Sequence, residues 1–476
     1  MASPIRGIAL LTVLTGPLLA LPAAASSLLD PQIRAVHFEA RLGEPQLAMT
    51  RLQAARQQGF LDHQAQPADL LLGDMLLQQG LDLPAEAVLR RVSEAGGEQA
   101  DAAWLQLGRL HYRRGEDEAA LAAFARIRGS LSGVAQQERL LLESELLLRS
   151  GRLPEAEQRL RALLKGRKKR SDWVDYGRFN LAVLLFRSGR EDEARELLLS
   201  LSKQNTKDTT LRTLSDKANL TLAYDRLEAG DIDAATGFFK KGRLSGPVSN
   251  TALMGLGRAW AAQEEYKKAL VPWLRLSKRD AADPWVQDAL LAVPYGFGKL
   301  NAYKQALQYY QQALSVFEVE LERVGKVEEQ VDNGDMLRTL VTGFGVDDVL
   351  DRDVLPALPK ASGASHLWQL FSTHEFQELL RSYVRTGQSL KKITRWTSQV
   401  KVDDSLPSAS REALLNRAVT LETRLTTLSG KLQAHMQSLA LQALAQRRKR
   451  IQAYSAETRF SIAQIYDYAA KRWGEK

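Results

Sequence analysis

The chain has 476 residues, of which 45% are hydrophobic and 25% charged, the balance of a folded protein and not of a disordered one. It contains no cysteine, which excludes disulfides, thiolate zinc sites, cysteine nucleophiles and a lipidated-cysteine anchor together. With 65 basic and 56 acidic residues the formal charge is +9, so any charged partner is expected to be acidic.

Residues 1–25 read as a secretory leader. Arg6 supplies the positive start, Gly7 to Leu21 is an uncharged, mostly apolar run, and Ala23-Ala24-Ala25 is a small-residue cleavage pattern. Gly16 and Pro17 break that run, and a polar stretch begins at Ser26, so cleavage after about Ala25 is expected in preference to a retained anchor. No later segment approaches the ~20 apolar residues of a membrane span. The expected location is a bacterial periplasm. There the acidic partners on offer are anionic lipid headgroups, lipopolysaccharide phosphates, acidic polysaccharide or an acidic protein face, and nucleic acid is not expected. Solubility alone explains the charge equally well.

From residue 80 onward one turn keeps returning: glycine, two or three polar residues, then a step to alanine. It occurs at Gly80 to Ala85, Gly115 to Ala119, Gly151 to Ala156, Gly189 to Ala194 and Gly230 to Ala235. The glycines are 35, 36, 38 and 41 residues apart. A period of this size marks a solenoid, whose units are too small to bury an apolar face alone and must stack on their neighbours.

The unit beginning at Trp104 reads Trp104, Leu107, Gly108, His111, Gly115, Ala120, Phe124, Ile127. These offsets describe two helices joined by a short turn, with Gly108 and Ala120 small because the helices cross closely there. Other units keep the pattern around Leu72-Gly73, Leu140, Leu181-Ala182, Leu222-Ala223, Leu256-Gly257 and Leu290. A degenerate pair from about Val36 to Ala55 caps the series, which makes eight helical pairs between roughly residues 31 and 316. Pro294 falls where a small residue belongs, so a kinked or shortened first helix is expected in the last unit.

The spacing resembles the tetratricopeptide repeat, whose pattern runs Trp, Leu, Gly, Tyr, Ala, Phe, Ala at the same offsets. His111 departs from the tyrosine of that pattern, although Tyr112 follows it. The resemblance covers about three fifths of the chain. It implies an all-α fold, a right-handed α-solenoid over 26–316 with first helices lining a concave groove. Carried onto this sequence, the groove positions are Arg109, Tyr112, Arg113, Tyr176, Arg187, Tyr224, Arg258 and Tyr295, with Phe179 and Phe186 less favoured. Arginine and tyrosine are residue types that dominate binding hot spots. Packing against the next repeat is the alternative role for each of them.

The repeat pattern stops after Phe317. A charged helical stretch, Glu318 to Gln330, leads to a turn at Asn333-Gly334, and Gly343 to Ser365 reads as a linker, so 317–365 separates the array from a C-terminal region at 366–476. Leu367, Leu370, Phe371, His374, Leu380, Tyr383 and Val384 mark one amphipathic helix to about Trp396, broken at Ser405 to Ser410. Beyond it Leu421, Leu425, Leu428, Leu432, His435 and Leu439 alternate four and three apart, the spacing of a coiled-coil seam. The seam slips through Arg447-Arg448-Lys449-Arg450, a candidate contact for an acidic partner or lipid surface. A second basic run, Lys165 to Arg170, reads as a solvated face. The sequence leaves open whether the C-terminal helices pair within one chain or form a homodimer.

No constellation for catalysis emerges. The six histidines, at 37, 63, 111, 366, 374 and 435, include no pair at metal-site spacing. Asp347, Asp348, Asp351 and Asp353 lack the alternating ligands, central glycine and closing glutamate of a calcium loop. No phosphate loop or serine elbow occurs, and no cofactor is expected. The expected function is that of a non-enzymatic periplasmic scaffold gripping a protein in its groove. The alternative is an envelope protein binding polysaccharide or peptidoglycan, as accessory to a cell-wall enzyme.

Overall fold

A computed structural model describes residues 31–42, 45–129, 131–165, 171–203, 208–243, 245–343, 364–402 and 407–474. The expected leader, the Lys165 to Arg170 run beyond Lys165, the four-aspartate cluster and most of the 343–365 linker lie outside them. Among the described residues there are helices and no strand.

Eight helical hairpins follow one another. The first four are α1 (Pro31–Arg41) with α2 (Pro45–Gln57), α3 (Ala65–Gln78) with α4 (Asp82–Ala95), α5 (Ala100–Arg114) with α6 (Asp117–Ala125), and α7 (Gly133–Arg149) with α8 (Leu153–Leu164). Next come α9 (Asp172–Arg187) with α10 (Glu191–Ser202) and α11 (Thr209–Glu228) with α12 (Ile232–Lys241). The last two are α13 (Ser249–Ala262) with α14 (Tyr266–Leu276) and α15 (Pro284–Lys299) with α16 (Tyr303–Asp332). These are the eight pairs the period implies, with α1 and α2 as the degenerate first pair. The chain divides into two compact units, one ending at Leu201 and one beginning at Ser202.

The recurring glycine ends five of the eight first helices. Gly80, Gly115, Gly151, Gly189 and Gly230 all take positive φ, from 71° to 77°, which lets the chain turn out of the helix without a Cβ clash. The following amide then reaches back five residues: Glu116 N donates to His111 O at 3.0 Å and Arg190 N to Leu185 O at 2.9 Å, capping the otherwise orphaned carbonyls. The seventh and eighth hairpins make the same turn with Glu264 (φ 59°) and Asn301 (φ 58°) in place of glycine. Left-handed backbone costs a residue with a Cβ about 1–2 kcal/mol. Glu264→Gly is therefore expected to raise stability by about 1 kcal/mol in urea unfolding. Gly115→Ala, where an added Cβ meets nothing within 4 Å, is expected to lower it by a similar amount.

Small residues sit where helices cross. A Cβ on Gly108 would fall 2.3 Å from Phe124, which is itself 1% exposed, and one on Gly73 would fall 2.6 Å from Leu89. Proline does not shorten the eighth pair: α15 runs 16 residues with Pro294 inside it. The shortening expected there is corrected: the proline removes one internal hydrogen bond, and the helix is held by a buried face formed by Val286, Ala289, Leu290 and Val293.

The 316–317 boundary carries no break in helix. α16 continues for 30 residues, and Phe317, Val324, Val327 and Val331 are buried along its second half. They pack in one core with α17 (Asp335–Gly343), α18 (Ala364–Phe371), α19 (His374–Val402) and the 67-residue α20 (Ser408–Gly474). Asn333-Gly334 is the expected turn, with Gly334 at φ 73°. The single amphipathic helix expected from Leu367 to Trp396 is instead two, α18 and α19. The chain bends at Ser372-Thr373, where the Thr373 hydroxyl accepts from Phe376 N at 3.3 Å as a cap for α19.

The seam of α20 is also corrected. Leu421 and Leu428 are 48% and 44% exposed, while Met436, Ala440, Leu444 and Ile451 are fully buried with Arg447 (5%), Ser455 (8%) and Thr458 (0%). That buried strip repeats every eleven residues (436, 447, 458; 440, 451), the period of a nearly straight helix, so the heptad leucines fall off it. α20 packs along both α16 and α19 of its own chain. Arg447 occupies a core position of the strip and is no interruption of it.

Candidate partner-binding surface of the repeats

Within each unit the first helices of successive hairpins pack on one another, α3 on α5, α5 on α7, α7 on α9, and separately α11 on α13 and α13 on α15. Residues on them therefore form rows. The two rows differ in chemistry.

In the N-terminal unit the row is a buried polar ladder. Gln106 Nε2 donates to Asp74 Oδ1 at 3.0 Å, Arg109 Nη1 to Gln106 Oε1 at 3.2 Å, and Arg109 Nε to Glu138 Oε1 at 2.8 Å, with a second guanidinium bond closing the fork on Glu138. One turn on, the Tyr112 hydroxyl donates to Glu145 Oε2 at 2.7 Å, and the Arg149 guanidinium lies 5.1 Å from the Tyr112 ring centre. Burial, reinforced by the Glu145 charge and hydrogen bond, holds the Tyr112 phenol protonated far above its ordinary range. Arg109 and Tyr112 thus serve the array's own packing: 9% and 6% exposed, they offer a partner little surface. His111, the departure from the repeat pattern, reaches Glu116 across the turn at 2.5 Å. Phe179 is fully buried. Arg113, Tyr176 and Phe186 are half-buried, and Arg187 is exposed.

In the C-terminal unit the row is aromatic and cationic. Tyr224 is 5% exposed, edge-on to Phe239 at 5.2 Å, with its hydroxyl 3.4 Å from Thr251 O; burial pushes its pKa up to about 12. Arg258 is exposed, 3.2 Å from Asp288 and 5.7 Å over the Trp285 ring. Tyr295 is 47% exposed, edge-on to Tyr266 at 6.2 Å and capped by the Lys299 ammonium at 5.5 Å. Trp260, also on α13, is flanked by Lys240 of α12 at 5.4 Å and Lys268 of α14 at 4.8 Å. Cation–π contacts of this kind hold flat rings and charged heads upright at the surface. Trp260, Trp285 and Lys299 were absent from the groove positions carried over by the resemblance. For Trp285 the signal was the aromatic density of α15, which also carries Tyr295 and Phe297 and which the offsets alone pass over.

The basic run on α20 is largely spent inside the chain. Arg447 Nη1 donates to Ala282 O, and burial, with the Arg450 charge, pushes its pKa down. Arg448 forks onto Glu328 of α16, its Nε at 3.2 Å. Lys449 is exposed and Arg450 half-buried. Nearby, burial works against the Glu320 carboxylate, yet hydrogen bonds from His366 (3.0 Å) and Arg323 (2.7 Å) hold it below the ordinary range, tying α18 to α16.

Among the described residues no three potential ligands cluster as for a metal ion, and no helix is long and apolar enough to cross a membrane.

Residues 141–207 and 220–284 match the family model described as tetratricopeptide repeat. No curated protein sequence matches the chain. Solved structures similar to it include a tetratricopeptide repeat protein from Parabacteroides merdae, 17% identical, covering 55% of this chain and 97% of that one at a TM-score of 0.34. Another is pilF of Pseudomonas aeruginosa, 17% identical, covering 48% of this chain and 96% of that one at 0.35. A third is the apo quorum sensor NprR of B. thuringiensis, 11% identical, covering 61% and 99% at 0.34. The glycine turns, the eight hairpins and the matched segments agree, and the repeats of this chain are tetratricopeptide-like.

Proposed function

We propose that the chain is a non-enzymatic scaffold of the bacterial periplasm that binds a protein partner through the first-helix row of α11, α13 and α15. Its repeats are a protein-interaction fold, and fold alone does not name a partner, so the reading rests on the site. The observation that carries it is the Arg258–Trp285 and Tyr295–Lys299 surface, where Arg258, Tyr295 and Lys299 are exposed and held in place by neighbours, Trp285 being half-buried beneath Arg258. Such side chains bury large area at small entropy cost when a partner docks. The periplasmic assignment is supported by the leader-like residues 1–25 alone.

A photo-crosslinking residue at Tyr295 should give one discrete protein adduct in cells, in the osmotic-shock fraction. Arg258→Ala combined with Trp285→Ala should reduce it at least ~10-fold. An adduct indifferent to those changes would remove the groove reading. Co-sedimentation with purified cell wall, lost at high salt, would favour the polymer-binding alternative, and muropeptide release by the pure protein would overturn the non-enzyme reading.

A further inference from the structure

α20 has a second stripe that the described residues leave uncovered. Arg417, Leu421, Arg424, Leu428 and Lys431 follow at steps of four and three, so they share one face. Leu421 and Leu428 are 48% and 44% exposed, and all three basic residues are exposed. The buried strip through Ala418, Met436 and Ala440 lies on another face, and α19 covers the side marked by Glu422, whose Oε1 accepts from Thr394 at 3.3 Å and Thr397 at 3.5 Å. Further along the helix, where α20 meets α16, surface arginines find carboxylates: Arg448 pairs with Glu328 and Arg459 with Glu318 at 3.3 Å. Arg417, Arg424 and Lys431 have no carboxylate partner among the described residues.

We infer that this stripe is a docking site for an acidic amphipathic helix of a partner protein. The inference is independent of the repeat groove. Leucines spaced seven apart and flanked by cations are one half of a heptad seam, and what completes it is a helix with apolar a and d positions and glutamate or aspartate beside them. A second copy of this chain fits poorly. Antiparallel self-pairing sets Arg417, Arg424 and Lys431 against one another. Parallel self-pairing opposes them with Glu422, Ser429 and Met436, of which only Glu422 is acidic, and it is already engaged by α19. A membrane surface fits no better, since Leu421 and Leu428 are the stripe's exposed leucines and its basic side runs on to exposed Thr420 and Thr427, whose hydroxyls bond their own helix at 2.9 Å.

The probe is a labelled synthetic peptide of about four heptads with Leu at a and d and Glu at e and g, titrated with the full chain in fluorescence anisotropy. Saturable binding is expected, at least ~10-fold tighter than for the same peptide with Lys in place of Glu, and fading near ~0.5 M salt. Arg417→Glu with Arg424→Glu should reverse that preference without altering the circular dichroism spectrum, because neither side chain packs in the core. Equal binding of the two peptides, or none, would overturn the proposal. So would sedimentation showing a dimer that Leu421→Gln with Leu428→Gln dissolves, or flotation with phosphatidylglycerol vesicles lost in the charge-reversed variant. Loss of the Tyr295 crosslink leaves this result untouched, so the two readings fail separately.

Discussion

Glu138→Leu is expected to lower stability by about 3–5 kcal/mol, seen as an earlier urea midpoint in circular dichroism. Glu138 is fully buried and takes both arms of Arg109, which is itself 9% exposed and anchored to Asp74 through Gln106. Removing the carboxylate leaves a guanidinium with no counter-charge and almost no water. Arg109→Met combined with Glu138→Leu should recover most of the loss, because an apolar pair of similar volume avoids desolvating two ions. A shift under ~1 kcal/mol for the single change would mean that Arg109 swings out into solvent, and it would return Arg109 to the groove as a partner contact.

Gly257→Leu should cost about 3 kcal/mol or more, at the upper end of overpacking effects. An added Cβ would stand 2.1 Å from Trp273 Nε1, and Trp273 is 3% exposed with its indole N–H 3.4 Å from Met254 O. Trp273 is packed in the core, so α13 and α14 must shift apart to take the larger side chain. Gly237→Ala is the matched control. It lies within α12, where an added Cβ meets nothing within 4 Å, and should gain roughly 0.5–1 kcal/mol from helix propensity. Opposite signs at two helical glycines would assign the cost to the crossing. Equal signs would deny it.

The repeat fold was legible because its signal is local. A glycine with positive φ at five of the first-helix ends, and glycines at crossings such as Gly73, Gly108 and Gly257, are backbone requirements that one residue meets alone. The last two turns escape the glycine pattern because Glu264 and Asn301 take the same conformation at some cost. The groove was only partly legible. Tyr112 and Arg109 have the residue types of a binding surface, but Glu145 and Glu138, one repeat further on, draw them into the core; pairing across 33 and 29 positions leaves no mark in a single repeat. On α20 the leucine heptads were plain, yet the chain buries the eleven-residue strip instead. Which of two faces is covered depends on α16 and α19, which are distant in sequence.

Because α16 is at once the second half of the eighth hairpin and the bed for α20, the seventh and eighth hairpins and the C-terminal helices share one stiff strut. Asp288 adds a crosspiece: it receives Arg258 from the groove row at 3.2 Å and the Tyr454 hydroxyl from α20 at 2.6 Å. A helix of 67 residues spans about 100 Å, so a tilt of a few degrees where Arg258 is gripped becomes several ångströms at the far tip. Arg258 in the groove row and Tyr454 on the long helix thus meet at a single carboxylate, so whatever displaces Asp288 touches both.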